Sequence, residues 1–516
     1  MKFKDLLVPL GLSLIIFLLI NKFFFAPKPQ LDGQVVRSGQ RFTAPTSKQA
    51  ARPLNREIDF IDEKQKGRAV KTKVETDLAK YVFTTNGAAL DRLEMKHNVD
   101  GQHQLINTVF PVAPTQREDS CFLVALDEKS PFYYDFVGKT ETDSEIQVKY
   151  RYSSSASDVN VNKTYTIFKE TNKLNLTVEV EPKKGAKHPV EVRIFFPSPL
   201  MHDVADAPSA VIESDSGKIQ KISGGSLKEQ DGWHTPLLFG AENKYYSTVL
   251  VEDRDKFAQR AYYRASSKTK IFAILEGPTV SEKTSWTVSF YVGPKEERAM
   301  ALVDPRLEQT LGYAGLLAPV SKILLALLNF IYKYVHNYGW AIIILTLLVR
   351  LLLLPFTYKS GPGASNKHAE LQRKLRYLDQ KYKHDKETLA REKAALIKKH
   401  GMPGLGGCLP LLLQFPLFIA LSSVLRSSIQ FYHAPFLIWS DLSAKDPYYI
   451  LPLLMAGTML VQGLIGPKES RTMFIVMAIA FGALFQGLSA GLLLYIFVST
   501  LLGLVQMIVQ KKLKAA

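Results

Sequence analysis

Arg350 has the most demanding chemistry in this sequence, because it interrupts the apolar run Trp340-Ala-Ile-Ile-Ile-Leu-Thr-Leu-Leu-Val-Arg-Leu-Leu-Leu-Leu-Pro355. A guanidinium at bilayer depth costs about 2.5–3.5 kcal/mol on insertion scales, and about 10 kcal/mol or more on an isolated helix. Such a residue faces water or a partner inside the protein. None of the expected spans contains Asp or Glu, so the sequence offers no internal counter-ion and the partner is expected from outside the chain. Thr346 precedes Arg350 by one helical turn and shares its face.

Positioning this charge requires membrane helices. Residues 6–25 form a first apolar segment, preceded by Lys2 and Lys4 and followed by Pro27 and Pro29, with no A-x-A-like cleavage site. It reads as an uncleaved anchor (1–25) with a cytoplasmic N-terminus. Further spans are expected at about 340–357, 408–427, 448–466, 472–487 and 489–510. The last two form an antiparallel pair with a tight turn at Gln486-Gly487-Leu488-Ser489-Ala490-Gly491. Residues 314–335 would also be long enough to cross. Crossing there would place the 359–407 loop outside with a net charge of +7 (twelve Lys/Arg against five Asp/Glu). Lys322, Asn329, Lys333 and His336 recur on one side of this segment, against Ile323, Leu324, Leu327, Leu328 and Ile331. An interfacial amphipathic helix within 306–338 satisfies both observations. The expectation is six spans, both termini inside, with 339–516 a five-span core and 359–407 a cytoplasmic helical hairpin.

The 516 residues carry a net charge of +17, 47% of them are hydrophobic, and the mean hydropathy of -0.01 averages two unlike halves. The positive-inside rule accounts for the basic block at 359–407 without nucleic acid; contact with a ribosome or anionic lipid is the alternative. Cys121 and Cys408 fall on opposite sides of the membrane, so no disulfide framework is expected. The histidines lack ligand spacing and there is no CxxC, HExxH or Walker-type loop, so no metal or other cofactor is expected.

Residues 26–70 read as a linker, and 71–305 as an all-β domain outside the membrane. Leu174, Leu176, Val178 and Val180 alternate with polar residues, as do Val190, Val192 and Ile194, and Trp286, Val288, Phe290 and Val292. That period predicts an antiparallel β-sandwich. The Ser/Gly/Lys-rich stretch between Asp203 and Trp233 reads as loop. Tyr133-Tyr134 and Tyr245-Tyr246 are potential stacking residues, although aromatic pairs in a sandwich more commonly serve as core.

Three stretches of the membrane half carry a family resemblance. They are Ile344-Leu345-Thr346-Leu347-Leu348-Val349-Arg350 with Pro355 and Thr357; Pro403-Gly404-Leu405-Gly406-Gly407-Cys408-Leu409-Pro410 leading to Gln414-Phe415-Pro416; and Ala434-Pro435-Phe436 followed by Asp441-Leu442-Ser443-Ala444-Lys445-Asp446-Pro447-Tyr448-Tyr449-Ile450-Leu451-Pro452. In that order they resemble the YidC membrane-protein insertase family, well over 306–512 and more loosely over 71–300. The large external β-domain resembles the Gram-negative form. Where the family has an aromatic pair in the last span this chain has Tyr495-Ile496, and its Pro-Ser-Gly turn is Ser489-Ala490-Gly491.

The resemblance implies a non-enzymatic insertase and chaperone of the bacterial inner membrane, with the β-domain in the periplasm. Its partners would be nascent membrane proteins, the Sec translocon and SecDF, lipid, and the ribosome through 359–407 and the basic tail, with no specific nucleic acid. It also implies a hydrophilic groove, open to cytoplasm and lipid, holding Arg350, Thr346, Gln414 and Tyr495. The client's apolar span would leave along a slide formed by Leu412, Phe415 and Pro416. Within 366–400, Leu371, Leu375, Leu378 and Tyr382 form one apolar stripe and Leu389, Leu396 and Ile397 another. This hairpin could cap the groove or pack on itself. Rival readings are a small-anion transporter or channel, disfavoured by few spans and no inverted repeat, and a membrane assembly scaffold.

Overall fold

The computed structural model describes residues 58–515, apart from 100–101, 109–116, 184–188, 201–206, 214–216, 228–231, 268–269, 313–316, 361–373, 401–404, 466–470 and a few single positions. The side chains of 355–360, 397–400 and 405–415 also lie outside this description. So do the expected anchor, most of the linker and residues 361–373 of the expected cytoplasmic hairpin. The chain divides into two compact units, one built around 29–314 and the other around 315–516.

The first unit is β-structure. Nine strands run in the order Ile219–Ser223, Ser209–Glu213, Phe239–Glu242, Tyr246–Asp253, Thr284–Pro294, Lys173–Pro182, Val159–Phe168, Glu145–Tyr152, Asp135–Glu141, all neighbours antiparallel. A seven-stranded sheet runs Asp59–Phe60, Lys129–Ser130, Leu123–Leu126, Val190–Pro197, Lys270–Val280, Arg260–Ser267, Gly232–His234. The two face each other through aromatic rings: Phe290 lies 4.8 Å from Phe122 and 5.2 Å from Phe196, and Phe239 lies 4.3 Å from Tyr263. The Tyr263 hydroxyl donates across the layers to the Gly240 carbonyl at 2.7 Å. A third sheet, Lys71–Glu75, Ala79–Thr84, Ala89–Val99 and Gln102–Thr108, packs Phe83 against Tyr165.

The period-two reading places the right residues inside: Leu174, Leu176, Val178, Val180, Val288 and Phe290 are fully buried. Tyr133, Tyr134, Tyr245 and Tyr246 are all buried as core. The 203–233 stretch is not a plain loop. It contains the hairpin Ser209–Glu213/Ile219–Ser223, a 3-10 turn at Gly224–Ser226 and the strand Gly232–His234. The apolar core of that hairpin is only Ala210-Val211-Ile212, too short a run to stand out from its polar surroundings. Gly217, at φ +70°, belongs to its turn.

The C-terminal edge of this unit is fastened electrostatically. Burial would raise the Glu242 carboxyl, but Lys221 at 2.6 Å and Lys295 at 2.8 Å outweigh it and hold the pKa below the ordinary carboxylate value. Lys221 also donates to the Thr310 carbonyl, and Arg306 pairs with Asp304 and Glu213. The short helix α1 (Glu297–Ala301) and the 3-10 segment Pro305–Thr310 are thereby held close to this sheet.

The second unit is helical: α2 Ala318–Val335, α3 Tyr338–Ser360, α4 Lys386–His400, α5 Leu405–Ser427, α6 Ile450–Ile465, α7 Arg471–Leu484 and α8 Ala490–Ala515. Their bounds lie within a few residues of the apolar runs, and the expected break between the last two helices falls at the 3-10 turn Phe485–Gly487. By length and composition, Ala318–Val335 and Ala490–Leu513 are sufficient to cross a membrane; Tyr338–Leu354, Pro416–Ser427, Ile450–Ile465 and Phe474–Gly487 are shorter apolar helices. α8 packs on both α3 and α6, α6 on α7, and α2 on α3.

Helix α2 has three faces. Ser321, Leu324, Leu325, Leu328 and Ile331 are buried, with the Ser321 hydroxyl on the Ala420 carbonyl of α5 at 3.3 Å. Ile323, Leu327, Phe330 and Tyr334 form a separate exposed apolar stripe. Lys322, Asn329 and Lys333 occupy the third face.

Candidate functional site

One end of the helical unit is closed by the segment 431–449. Its backbone is tied to the start of α8 and to itself: Ala490 N–H donates to Ala444 O at 2.7 Å, Gly491 N–H to Leu442 O at 2.9 Å, and Leu442 N–H to Ala434 O at 3.0 Å. Phe436 packs against Trp340 and Trp439, and any side chain on Gly339 would overlap the Phe436 ring. Asp446, a residue of the sequence motif, is the hub. Its buried carboxylate accepts from Trp439 Nε1 at 2.8 Å, Tyr448 N at 3.0 Å and Leu451 N at 2.8 Å, the last in the first turn of α6. Replacing Asp446 by Ala leaves those donors stranded, at a cost of about 3 kcal/mol. A lower unfolding temperature and faster proteolysis within 431–449 are expected; a melt unchanged from the wild type would refute this role.

Away from that end the packing opens. Ala341, Ile342, Leu345 and Thr346 of α3 are buried, whereas Leu347, Leu348, Leu351, Leu352 and Leu354 are exposed. Leu345 and Leu352 are seven residues apart and so share a face, yet the first is 1% exposed and the second 72%. The covering of α3 therefore runs out along its axis, and Arg350 sits where it does.

Arg350 is half-buried and is not unpartnered, contrary to the sequence expectation. Its Nε donates to Ser499 Oγ at 3.1 Å and its Nη2 to the Ser499 carbonyl at 2.6 Å, both on α8. These are neutral acceptors. They offset part of the desolvation cost without neutralising the charge. Among the described residues no carboxylate reaches the guanidinium, and Ser499 takes two of its five N–H donors.

Around this pair the structure places further polar groups. Tyr495 lies one turn before Ser499 on α8 and is buried. Gln462 of α6, also buried, donates from Nε2 to the Thr500 carbonyl at 2.7 Å. Gly503 lies one turn after Ser499 and leaves α8 open toward both Arg350 and Gln462. Thr346 is buried, and its hydroxyl donates to Ile342 O at 2.6 Å, within its own helix. Pro416 on α5 is exposed. Gln414, Phe415 and Leu412 lie on α5, but their side chains fall outside the described residues.

Ser499, Gln462 and Gly503 escaped the sequence reading. A signal existed for Ser499 and Gly503, which continue the Tyr495 face at intervals of four. Gln462 is a polar residue in an otherwise apolar helix, as Arg350 is, and could have been flagged on the same ground.

Two family descriptions match the chain: 60Kd inner membrane protein over residues 330–516, and YidC periplasmic domain over residues 71–327. A "Membrane protein insertase YidC" of Geobacter metallireducens is 27% identical, the match covering 98% of this chain and 97% of that one. One of Campylobacter jejuni is 32% identical, covering 66% and 64%. Among solved structures, an active YidC insertase with its first transmembrane domain resolved aligns over 88% of this chain and 95% of its own at 20% identity, with a TM-score of 0.35.

Proposed function

This chain belongs to the YidC membrane protein insertase family, and on that premise we propose that it inserts integral membrane proteins through a polar notch centred on Arg350. The observation that carries the mechanism is the position of that charge. It sits where α3 loses its cover, held among the described residues by uncharged acceptors, beyond an end closed by 431–449. A client's short polar tail would enter the notch from the open side, and its acidic groups would exchange places with solvent around the guanidinium. The client's apolar span would leave past Leu412, Phe415 and Pro416 into lipid, driven by the hydrophobic effect. Thr346, Gln414 and Tyr495 complete the expected lining, Thr346 in a supporting position because its hydroxyl is spent on its own helix. No nucleotide is required.

The membrane arrangement belongs to the same proposal. Spans at α3, α5, α6, α7 and α8, with 6–25 as the anchor, give six crossings with both termini in the cytoplasm and the β-domain in the periplasm. Exposed Trp340, Tyr448 and Tyr449 cluster at the closed end, where aromatic residues mark a membrane interface. The three faces of α2 suit a helix lying at that interface, one against protein, one against acyl chains and one against water.

Nascent membrane proteins are the clients in this reading. The Sec translocon, SecDF and a ribosome meeting 359–407 and the basic tail are partners that the family suggests. The test is photocrosslinking from position 415 to a ribosome-bound nascent chain carrying one apolar segment. An insertase yields adducts that track the length of that segment. An anion transporter or a passive scaffold yields none, and that result would overturn the assignment.

A further inference from the structure

The two-residue turn Leu437-Ile438, within the segment 431–449, is unfavourable in water on two counts. Its side chains are 78% and 53% exposed, although Phe436 and Trp439 on either side are buried. Leu437 also takes φ +50° at the first central position of the turn, where a positive φ favours Gly. A turn facing water is ordinarily polar and built from Gly, Asn or Asp. This one is nonetheless firmly braced. Phe436 N–H donates to Trp439 O at 2.8 Å and Trp439 N–H to Phe436 O at 2.9 Å, and the two rings stack with centroids 6.3 Å apart. Trp439 is fixed in turn through Nε1 by Asp446. An apolar tip that is exposed, strained and braced points to a compensating contact outside the chain.

We propose that Leu437 and Ile438 form a wedge that enters the outer leaflet and anchors the 431–449 segment to lipid. Three observations favour lipid over a protein partner. From Ala434 to Ser440 there is no charged side chain, so the tip lacks the polar rim that surrounds a protein interface. Trp340, whose ring meets Phe436 edge-on at 5.6 Å, is exposed together with Tyr448 and Tyr449, and these aromatic types favour the headgroup level. Leu453 and Leu454 then carry exposed apolar surface on into α6. The backbone limits the depth. The reciprocal bonds use the amides of Phe436 and Trp439 and not those of the tip, and unpaired amides are excluded from hydrocarbon. The wedge therefore stops near the boundary of headgroups and acyl chains, about 5–10 Å in, as an interfacial apolar face does. This inference rests on the membrane arrangement proposed above and adds a specific lipid contact to it.

The experiment places single spin labels on the full chain in proteoliposomes, after Cys121→Ala and Cys408→Ala. Labels are introduced by Leu437→Cys, Ile438→Cys, Ala444→Cys and Val505→Cys, and each is tested for access to oxygen, which concentrates in lipid, and to a water-soluble nickel chelate. Ala444 is an exposed position of the same segment and Val505 an exposed position of α8. Labels at 437 and 438 should favour oxygen, whereas the label at 444 should favour the chelate. If 437 and 438 match 444, or are shielded from both reagents as beneath a protein, the wedge is overturned. A label at 505 that favours the chelate would instead overturn the membrane arrangement, and the wedge with it. The anchoring is tested separately by Leu437→Gly with Ile438→Ser, a pair that suits the turn but removes its apolar surface. A label introduced by Tyr448→Cys should gain access to the chelate in that background. Unchanged access at 448 would show that the tip anchors nothing.

Discussion

Arg350→Ala should leave the protein folded while reducing insertion of a short acidic-tailed client by about 30-fold. The magnitude follows from Coulomb's law: two unit charges at 4 Å and an effective dielectric of 20 attract by about 4 kcal/mol. Water entering from the open side of α3 returns roughly half of that, and about 2 kcal/mol is a factor of about 30 in rate. Folding should survive because the bonds to Ser499 only offset the cost of burying the guanidinium. Arg350→Lys keeps the charge but not the fork that spans Ser499 Oγ and its carbonyl, so it should retain part of the activity. Insertion in proteoliposomes, with thermal unfolding in detergent as the control for folding, checks both variants. Insertion at the wild-type rate by Arg350→Ala across acidic and neutral tails would sink the proposed mechanism.

The second large effect lies in the β-domain, at a buried lysine. Lys163→Met should lower that domain's unfolding temperature by about 10 °C. Lys163 is fully buried, and its ammonium donates to three carbonyls, Gly87 at 2.9 Å, Ala88 at 2.8 Å and Phe122 at 2.6 Å. All three acceptors are in the left-handed region, at φ 69°, 42° and 66°, where residues other than Gly are strained. The lysine thus pins two loops that would otherwise relax. Burial pulls its pKa below the ordinary lysine value, opposed by the neighbouring Cys121 thiol, and each ammonium N–H has one carbonyl acceptor. Met matches the length but donates nothing. The Ala88 carbonyl keeps the Tyr165 hydroxyl at 2.5 Å, so two carbonyls are stranded, at about 1–3 kcal/mol each. At about 2–4 °C per kcal/mol for a domain this size, the shift is about 10 °C. A melt within a degree or so of the wild type would show that the cage holds nothing.

Lys163 also marks a limit of pattern reading. In Val159, Val161, Lys163, Tyr165, Ile167 it occupies an inward position of a strict period-two strand. The pattern alone predicted the strand and its buried face. A lysine there is anomalous unless partners exist, and the partners lie some 40 and 75 residues earlier in the chain. Local periodicity carries no information across such distances. The hairpin at 209–223 was missed for the opposite reason, since its apolar core of three residues gives too little signal to set a period.

In the membrane half, the sequence by itself determined the helices and the expense of one residue. Apolar runs long enough to satisfy their own backbones in lipid can only be helical, so the bounds of α3, α5, α6, α7 and α8 followed within a few residues. The charge of Arg350 was costly wherever it faced. What only the tertiary structure decided was which neutral groups share that cost. Ser499 and Gly503 come from a helix some 150 residues later and Gln462 from a third helix, brought together by how α3, α6 and α8 rotate against one another. Those rotations depend on side-chain fit between helices, which no single run encodes. The same packing put Thr346 on its own backbone, turned Asp446 from a loop charge into the hub that closes one end, and placed Arg350 where the cover of α3 stops.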